Sequence, residues 1–191
     1  MKVLTLHQPY ASLIASGLKT VETRGWSTKY RGSLAVHAAA RRVPTYVHHD
    51  VNADLPPMLD SITMSRYWEW TEHPDDPMHG GVYRWVGPLG CVVATCELLD
   101  VVPMAEWMMP ERPMRDRYEW EPRALLIYGD RLVLHQNAAN GVYVGEDVTD
   151  QRPFGDYRPG RYAWLLDDIT PLDEVVPFRG GQGLSRSWRG V

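Results

Sequence analysis

One stretch constrains this chain more than any other: residues 90–102, GCVVATCELLDVV, form a long valine-rich run that is nearly all apolar. A short continuous apolar run bounded by turn residues is what a strand covered on both faces requires, so it is expected at the centre of a sheet. The acid in its middle, Glu97, must then be paired or functional, because a bare carboxylate in such a position is costly. The two cysteines of the chain, Cys91 and Cys96, fall on the same run. Five residues apart on a strand they point to opposite faces about 16 Å apart, too far to bridge.

Shorter strands gather around this one. Residues 3–6, 21–26, 34–39 and 161–169 have strand character, and residues 131–136 and 141–145 suggest a hairpin across Asn140-Gly141. One helix is expected over residues 10–18, entered at Pro9 and ended by Gly17, with Ser12 and Ser16 as a narrow polar stripe. Residues 44–89, with several prolines, Asp75-Asp76 and the cluster Tyr67-Trp68-Glu69-Trp70, read as a helical insertion with acidic loops. Residues 103–124, with Trp107 and Trp120, are again rich in Pro, Met and acid. A chain of 191 residues is long enough for one domain with its own core. The expectation is therefore a single domain over 1–191 with insertions at about 41–87 and 103–159, mixed or largely β around a small barrel.

Several function classes drop out. The chain has no GxGxxG after a strand, no Walker glycine loop and no GxSxG elbow. It has neither CxxC nor HExxH, and His48, His49, His73 and His79 sit in polar, Pro-rich sequence, so no metal site is expected. No apolar run approaches the roughly 18–20 residues that span a bilayer. His7, Gln8 and Pro9 interrupt the N-terminal apolar stretch, so it makes a poor signal peptide and a cytoplasmic location is expected.

Charge is distributed unevenly. Residues 1–49 carry a net +6 and residues 178–191 a net +3, which leaves −13 for residues 50–177 in a chain of net −4. Such asymmetry points to an anionic ligand at one end, unless the fold mixes the two sets. The acidic middle offers a different role, a surface for a protein partner. The densest polar group is Gly17-Leu18-Lys19-Thr20-Val21-Glu22-Thr23-Arg24. Lys19 follows the helix end, while Glu22, Arg24 and Trp26 share one face of the next strand. A carboxylate and two cations at one mouth supply what a nucleobase edge and its phosphate require, and a plain salt bridge is the competing reading.

The order Leu4-x-Leu6-x-Gln8-Pro9-x-Ala11, Gly17-x-Lys19-x-x-Glu22-x-Arg24, Trp26, Tyr30-Arg31-Gly32 and His37-Ala38 resembles the signature of the ASCH domain family of the PUA-like superfamily. The ending Tyr162-Ala163-Trp164-Leu165-Leu166 with Pro177-Phe178-Arg179-Gly180-x-Gln182-Gly183-Leu184 resembles the bacterial and phage members. The likeness covers about residues 1–40, 88–102 and 160–186. It implies an α+β fold, a small PUA-like β-barrel flanked by helices, with a cleft beside the GxKxxExR motif for RNA, single-stranded DNA or a modified nucleoside. The residues that would line it are Lys19, Glu22, Arg24, Trp26, Tyr30, Arg31, Gln8, His37 and Gln182. Neither a cofactor nor a metal is called for.

The same resemblance carries an alternative, a hydrolase. Some ASCH proteins are ribonucleases, and a related group hydrolyses acetylcytidine with a Lys, a Thr three residues later and a Glu on a later strand. Lys19 and Glu97 match the first and last of these, but Glu22 stands at the Thr position. Lys19, Glu22 and Glu97 are the candidate catalytic residues on that reading, with Thr20 or Thr23 as substitute hydroxyls.

Overall fold

The computed structural model describes residues 1–43, 46–48, 66–72, 81–106, 123–137, 143–184 and 186–190. These are mostly strand: β1 (Lys2–Leu6), β2 (Val21–Arg24), β3 (Gly32–Ala38), β4 (Tyr46–His48), β5 (Trp68–Glu72), β6 (Gly81–Trp85), β7 (Cys91–Glu106), β8 (Arg123–Tyr128), β9 (Arg131–Asn137), β10 (Tyr143–Asp147) and β11 (Tyr162–Pro177). One short helix, α1 (Tyr10–Ala15), and a 3₁₀ helix, Thr149–Phe154, complete them. The chain divides into two compact units, the first of Met1–Lys19, Ser33–Glu97 and Asp168–Val191, the second of Thr20–Gly32 and Leu98–Asp167. The long strands β7 and β11 each contribute residues to both.

In the first unit β1 runs parallel to β3, with Thr5 opposite His37, and β3 neighbours β7. Val3, Ala35, Val92 and Trp188 form its core cluster, against which Leu172, Val176 and Phe178 pack. Helix α1 follows β1. Gln8 locks its start: Oε1 accepts the Ser12 N–H at 3.0 Å while Nε2 donates to Ser12 Oγ and to Pro88 O, both at 2.9 Å. Ser12 is thus buried against Gln8 rather than part of a solvated stripe, and Ser16 turns its hydroxyl back to Leu13 O. Gly17, at φ 77°, ends the helix in the left-handed region that favours glycine.

A second sheet of the first unit has the order β4-β6-β5 and lies in the segment expected to be a helical insertion. The pattern Trp68-Glu69-Trp70-Thr71 has period two, and its aromatics and Thr favour strands. Trp68 pairs with Trp85 and Trp70 with Tyr83, which puts four aromatics on one face of the sheet. Trp68 and Trp85 are both buried, in edge-to-face contact at 5.3 Å, while Trp70 is 36 % exposed. Asp75-Asp76, His49, His73, His79, Trp107, Trp120 and Asn140-Gly141 lie outside the described residues.

In the second unit β7 runs parallel to β8, and β8, β9 and β10 follow as an antiparallel series. The expected hairpin strands are present, paired from Tyr143 opposite Asn137 to Asp147 opposite Val133. Val21, Val102, Met104, Leu125, Ile127, Leu132, Leu134, Tyr157, Ala163 and Leu165 make the core of this unit. The second insertion, where it is described, is built from strands and the 3₁₀ helix Thr149–Phe154. The hydrogen-bonded path β1-β3-β7-β8-β9-β10 has two open ends among the described residues, so the closed barrel implied by the family resemblance is not seen. Flanking helices are likewise replaced by strands: α1, of six residues, is the one α-helix among the described residues. No helix there is long and apolar enough to cross a membrane.

Candidate nucleic-acid interface

The motif strand β2 pairs antiparallel with β11, Glu22 opposite Trp164 and Arg24 opposite Tyr162. Directly opposed residues project to one face of a sheet. Glu22, Arg24, Trp164 and Tyr162 therefore share a face, while Val21, Ala163 and Leu165 turn to the core. The alternation read from the sequence is what divides them. On the shared face Arg24 Nε lies 3.0 Å from Glu22 Oε1, a close ion pair between a buried carboxylate and a partly exposed guanidinium. Trp26 stands beside it, 37 % exposed, its ring edge-to-face with the buried Trp164 at 4.7 Å and 84°. Trp164 Nε1 donates to Trp26 O at 3.4 Å, which fixes the chain that carries the exposed indole.

Three groups from distant sequence hold this strand. Gln151 of the 3₁₀ helix is buried, and its Oε1 accepts the N–H groups of Thr20 at 2.8 Å and Val21 at 3.3 Å. Tyr157 Oη donates to Val21 O at 3.4 Å, and burial, with the Glu22 and Asp150 carboxylates adding, pushes its phenol well above the usual range. Thr23, on the face opposite Glu22, accepts the Asp156 N–H at its hydroxyl, 3.1 Å away. Asp156 is itself held down to about 2, first by its hydrogen bonds from Arg158. Sequence reasoning missed Gln151, Asp156 and Tyr157, which carry no local pattern; Trp164 lay inside the C-terminal motif without a role attached to it.

The remaining candidates are placed as follows. Lys19 is fully buried at 0 % exposure in the first unit; its N–H donates to Leu13 O at 3.1 Å and its ammonium lies 5.7 Å from the centre of the Tyr10 ring. Gln8 is buried, and three hydrogen bonds engage its amide in the helix lock described above. His37 is buried, with Nε2 donating to Phe178 O at 2.9 Å, and burial lowers its basicity against the opposing effect of that bond. Tyr30 and Arg31 form the turn before β3. Arg31 binds Asp100 at 2.6 Å and the carbonyls of Thr28 and Tyr30, so its charge is matched and its fork organises the turn. Glu97 is paired, as its place in an apolar strand demands, by the Ser33 hydroxyl at 2.5 Å. Gln182 is exposed in the glycine-rich tail.

Both cysteines are buried and free, and burial, with Glu97 adding, pushes the Cys96 thiol up to about 12. Among the described residues no group of three or more His, Cys, Asp or Glu is arranged to hold a metal ion.

Comparison with known proteins decides the family. The ASCH domain model matches residues 4–122, more than half of the chain and all of the motif strand. The chain belongs to the ASCH domain family. A stretch of 39 residues is 49 % identical to the human Activating signal cointegrator 1 and, to the same extent, to the mouse protein of that name. That stretch is 20 % of this chain and 7 % of those proteins, so the likeness to them is confined to a small part of each. Within this ASCH domain protein, Glu22, Arg24 and Trp26 lie inside the matched region, whereas Gln151, Asp156, Tyr157 and Trp164, which support them, lie beyond it.

Proposed function

We propose that this ASCH domain binds RNA, single-stranded DNA or a modified nucleoside, and that the base sits on the face formed by Glu22, Arg24 and Trp26. The observation that carries this reading is the ion pair of Glu22 and Arg24 beside a half-exposed indole buttressed by Trp164. An aromatic face stacks on any base, at about 1–3 kcal/mol per base. A carboxylate accepts from an exocyclic amine, and a guanidinium donates to a carbonyl or a phosphate. Fluorescence anisotropy over a panel of short oligonucleotides and modified nucleosides at low salt tests it: binding is expected, weakened by Trp26→Ala and Arg24→Gln. A panel with no binder at low salt ends the proposal.

Hydrolysis is the second reading, and it rests on the match of Lys19 and Glu97 to the Lys and Glu of the acetylcytidine-hydrolysing group. The Thr23 hydroxyl accepts the Asp156 N–H on the face away from Glu22, which leaves Thr20 as the other substitute hydroxyl. Turnover of RNA or acetylcytidine that disappears in Lys19→Ala supports this reading; turnover that survives belongs to another site or a contaminant.

A further inference from the structure

Two arginines from the acidic middle of the sequence converge at the end of β2. Arg161 Nη2 donates to Thr23 O at 3.3 Å and its Nε to Asp156 O at 3.1 Å, while Nη1 lies 3.6 Å from Asp156 Oδ2. The same guanidinium passes over Gly25, where a Cβ would stand 3.8 Å from Nη1. Arg158 grips the other side of the carboxylate with both prongs, Nε to Oδ1 at 2.8 Å and Nη2 to Oδ2 at 2.6 Å. One carboxylate therefore faces two guanidiniums, and a positive charge is left over.

Each arginine has five N–H donors in a rigid fork. Two on each are engaged in hydrogen bonds, since the 3.6 Å approach of Nη1 is beyond that range, and the rest remain for a ligand. Arg158 is exposed and Arg161 partly so. The carbonyls of Thr23 and Asp156 fix the Arg161 fork in advance, which reduces the entropy lost when it takes up an oxyanion. Its contacts fall on Thr23 and Gly25, which flank Arg24 in sequence and precede Trp26.

We propose that Arg158 and Arg161, oriented by Asp156, are a phosphate clamp for the nucleic-acid backbone at the end of β2, the strand that carries the base-holding face. The proposal rests on the reading of that face given above and extends it: the ligand is a phosphorylated one, and the clamp sets its register. Bidentate forks match a phosphate's paired oxygens, and such contacts position a strand without reading its sequence.

The test titrates the full chain with a nucleoside, its monophosphate and a short single-stranded oligonucleotide over graded salt, with inorganic phosphate as a competitor. The monophosphate and the oligonucleotide are expected to bind more tightly than the nucleoside. In Arg161→Gln that advantage should shrink about tenfold, and the slope of log K against log salt should fall by about 0.7, one single-strand phosphate contact. Arg158→Gln, which breaks no backbone hydrogen bond, should do the same and covers the case in which Arg161→Gln fails to fold. Competition by inorganic phosphate that is lost in Arg158→Gln supports the clamp as well. If the monophosphate binds no better than the nucleoside, or if Arg158→Gln keeps both the advantage and the slope, the clamp is overturned while the base-holding face stands. If the wild-type chain binds none of the three, the reading of that face fails and the clamp with it.

Discussion

Glu22 is the residue that separates base reading from charge attraction. A phosphate trap would be improved by removing its negative charge, so Glu22→Gln would then tighten every oligonucleotide alike. A carboxylate that accepts from a base amine behaves differently, because a charge-assisted bond is about twice as strong as a neutral one. The expected outcome is a selective loss: affinity for the preferred base falls by about 1–3 kcal/mol while the other bases hold level or gain. The Arg24 partner 3.0 Å away sharpens the test. If the pair were only structural, Glu22→Gln would lower thermal stability and weaken all binding together, and melting curves run beside the titrations distinguish the two. The ion pair was legible, since a two-residue alternation puts Glu22 and Arg24 on one side of a strand, whereas the strand expected over 21–26 ends at Arg24 and Trp26 lies in the bend that follows. The supports were not, because Gln151, Asp156 and Tyr157 reach the motif strand from more than 120 residues away through one or two hydrogen bonds each.

Elements show the same division between local pattern and long-range pairing. The central strand β7, helix α1 and the β9-β10 pair follow from apolar runs and turn residues that act locally. The aromatic cluster Tyr67-Trp68-Glu69-Trp70 was ambiguous, since its spacing satisfies both a helix at i and i+3 and a strand at i and i+2. Cross-strand partners at Tyr83 and Trp85 select the strand, and no local signal announces them. Closure of the sheet was expected from the number of short strands as well as from the family resemblance, and the strand path ends open among the described residues. His37 joins β3 to the tail through Phe178 O, with the Gly180 backbone against its ring. A Cβ on Gly180 would fall 2.4 Å from the His37 ring and 2.8 Å from Thr5 Oγ1. Gly180→Ala should therefore destabilise the chain by about 1–3 kcal/mol, as overpacking does, in urea titration. Acid should act on the same joint. An unfolded histidine titrates near 6.5, but burial lowers both His37 and His135, so below about pH 6.5 the unfolded chain binds more protons. Stability is then full above that pH and declines as acid approaches the lower folded values. The melting temperature should drop between pH 7 and 5, with a smaller drop in His37→Gln, the remainder belonging to His135. An unchanged drop in that variant would take His37 out of the account.

At the scale of the whole molecule, the charge asymmetry read along the sequence does not survive folding as a basic end and an acidic middle. Each compact unit draws on basic and acidic segments, and the two arginines nearest the motif strand, Arg158 and Arg161, come from the stretch that carries −13. A chain of net −4 repels nucleic acid at long range, so phosphate binding must come from a few placed cations rather than from a broad basic field. That fixes an expectation for the salt dependence of oligonucleotide binding. Arg24, Arg158 and Arg161 acting together correspond to about three single-strand phosphates, a slope of log K against log salt near −2, where an extended basic surface that neutralises ten would give about −7. Measured between 50 and 300 mM salt, a slope near −2 agrees with contact confined to the end of β2. A slope steeper than about −4 would mean that further cations are engaged, and Arg179, Arg186 and Arg189 of the basic tail are the group to replace. If their combined change to glutamine then brings the slope back to about −2, the tail carries the additional phosphates and the ligand is longer than the clamp and base face alone can hold.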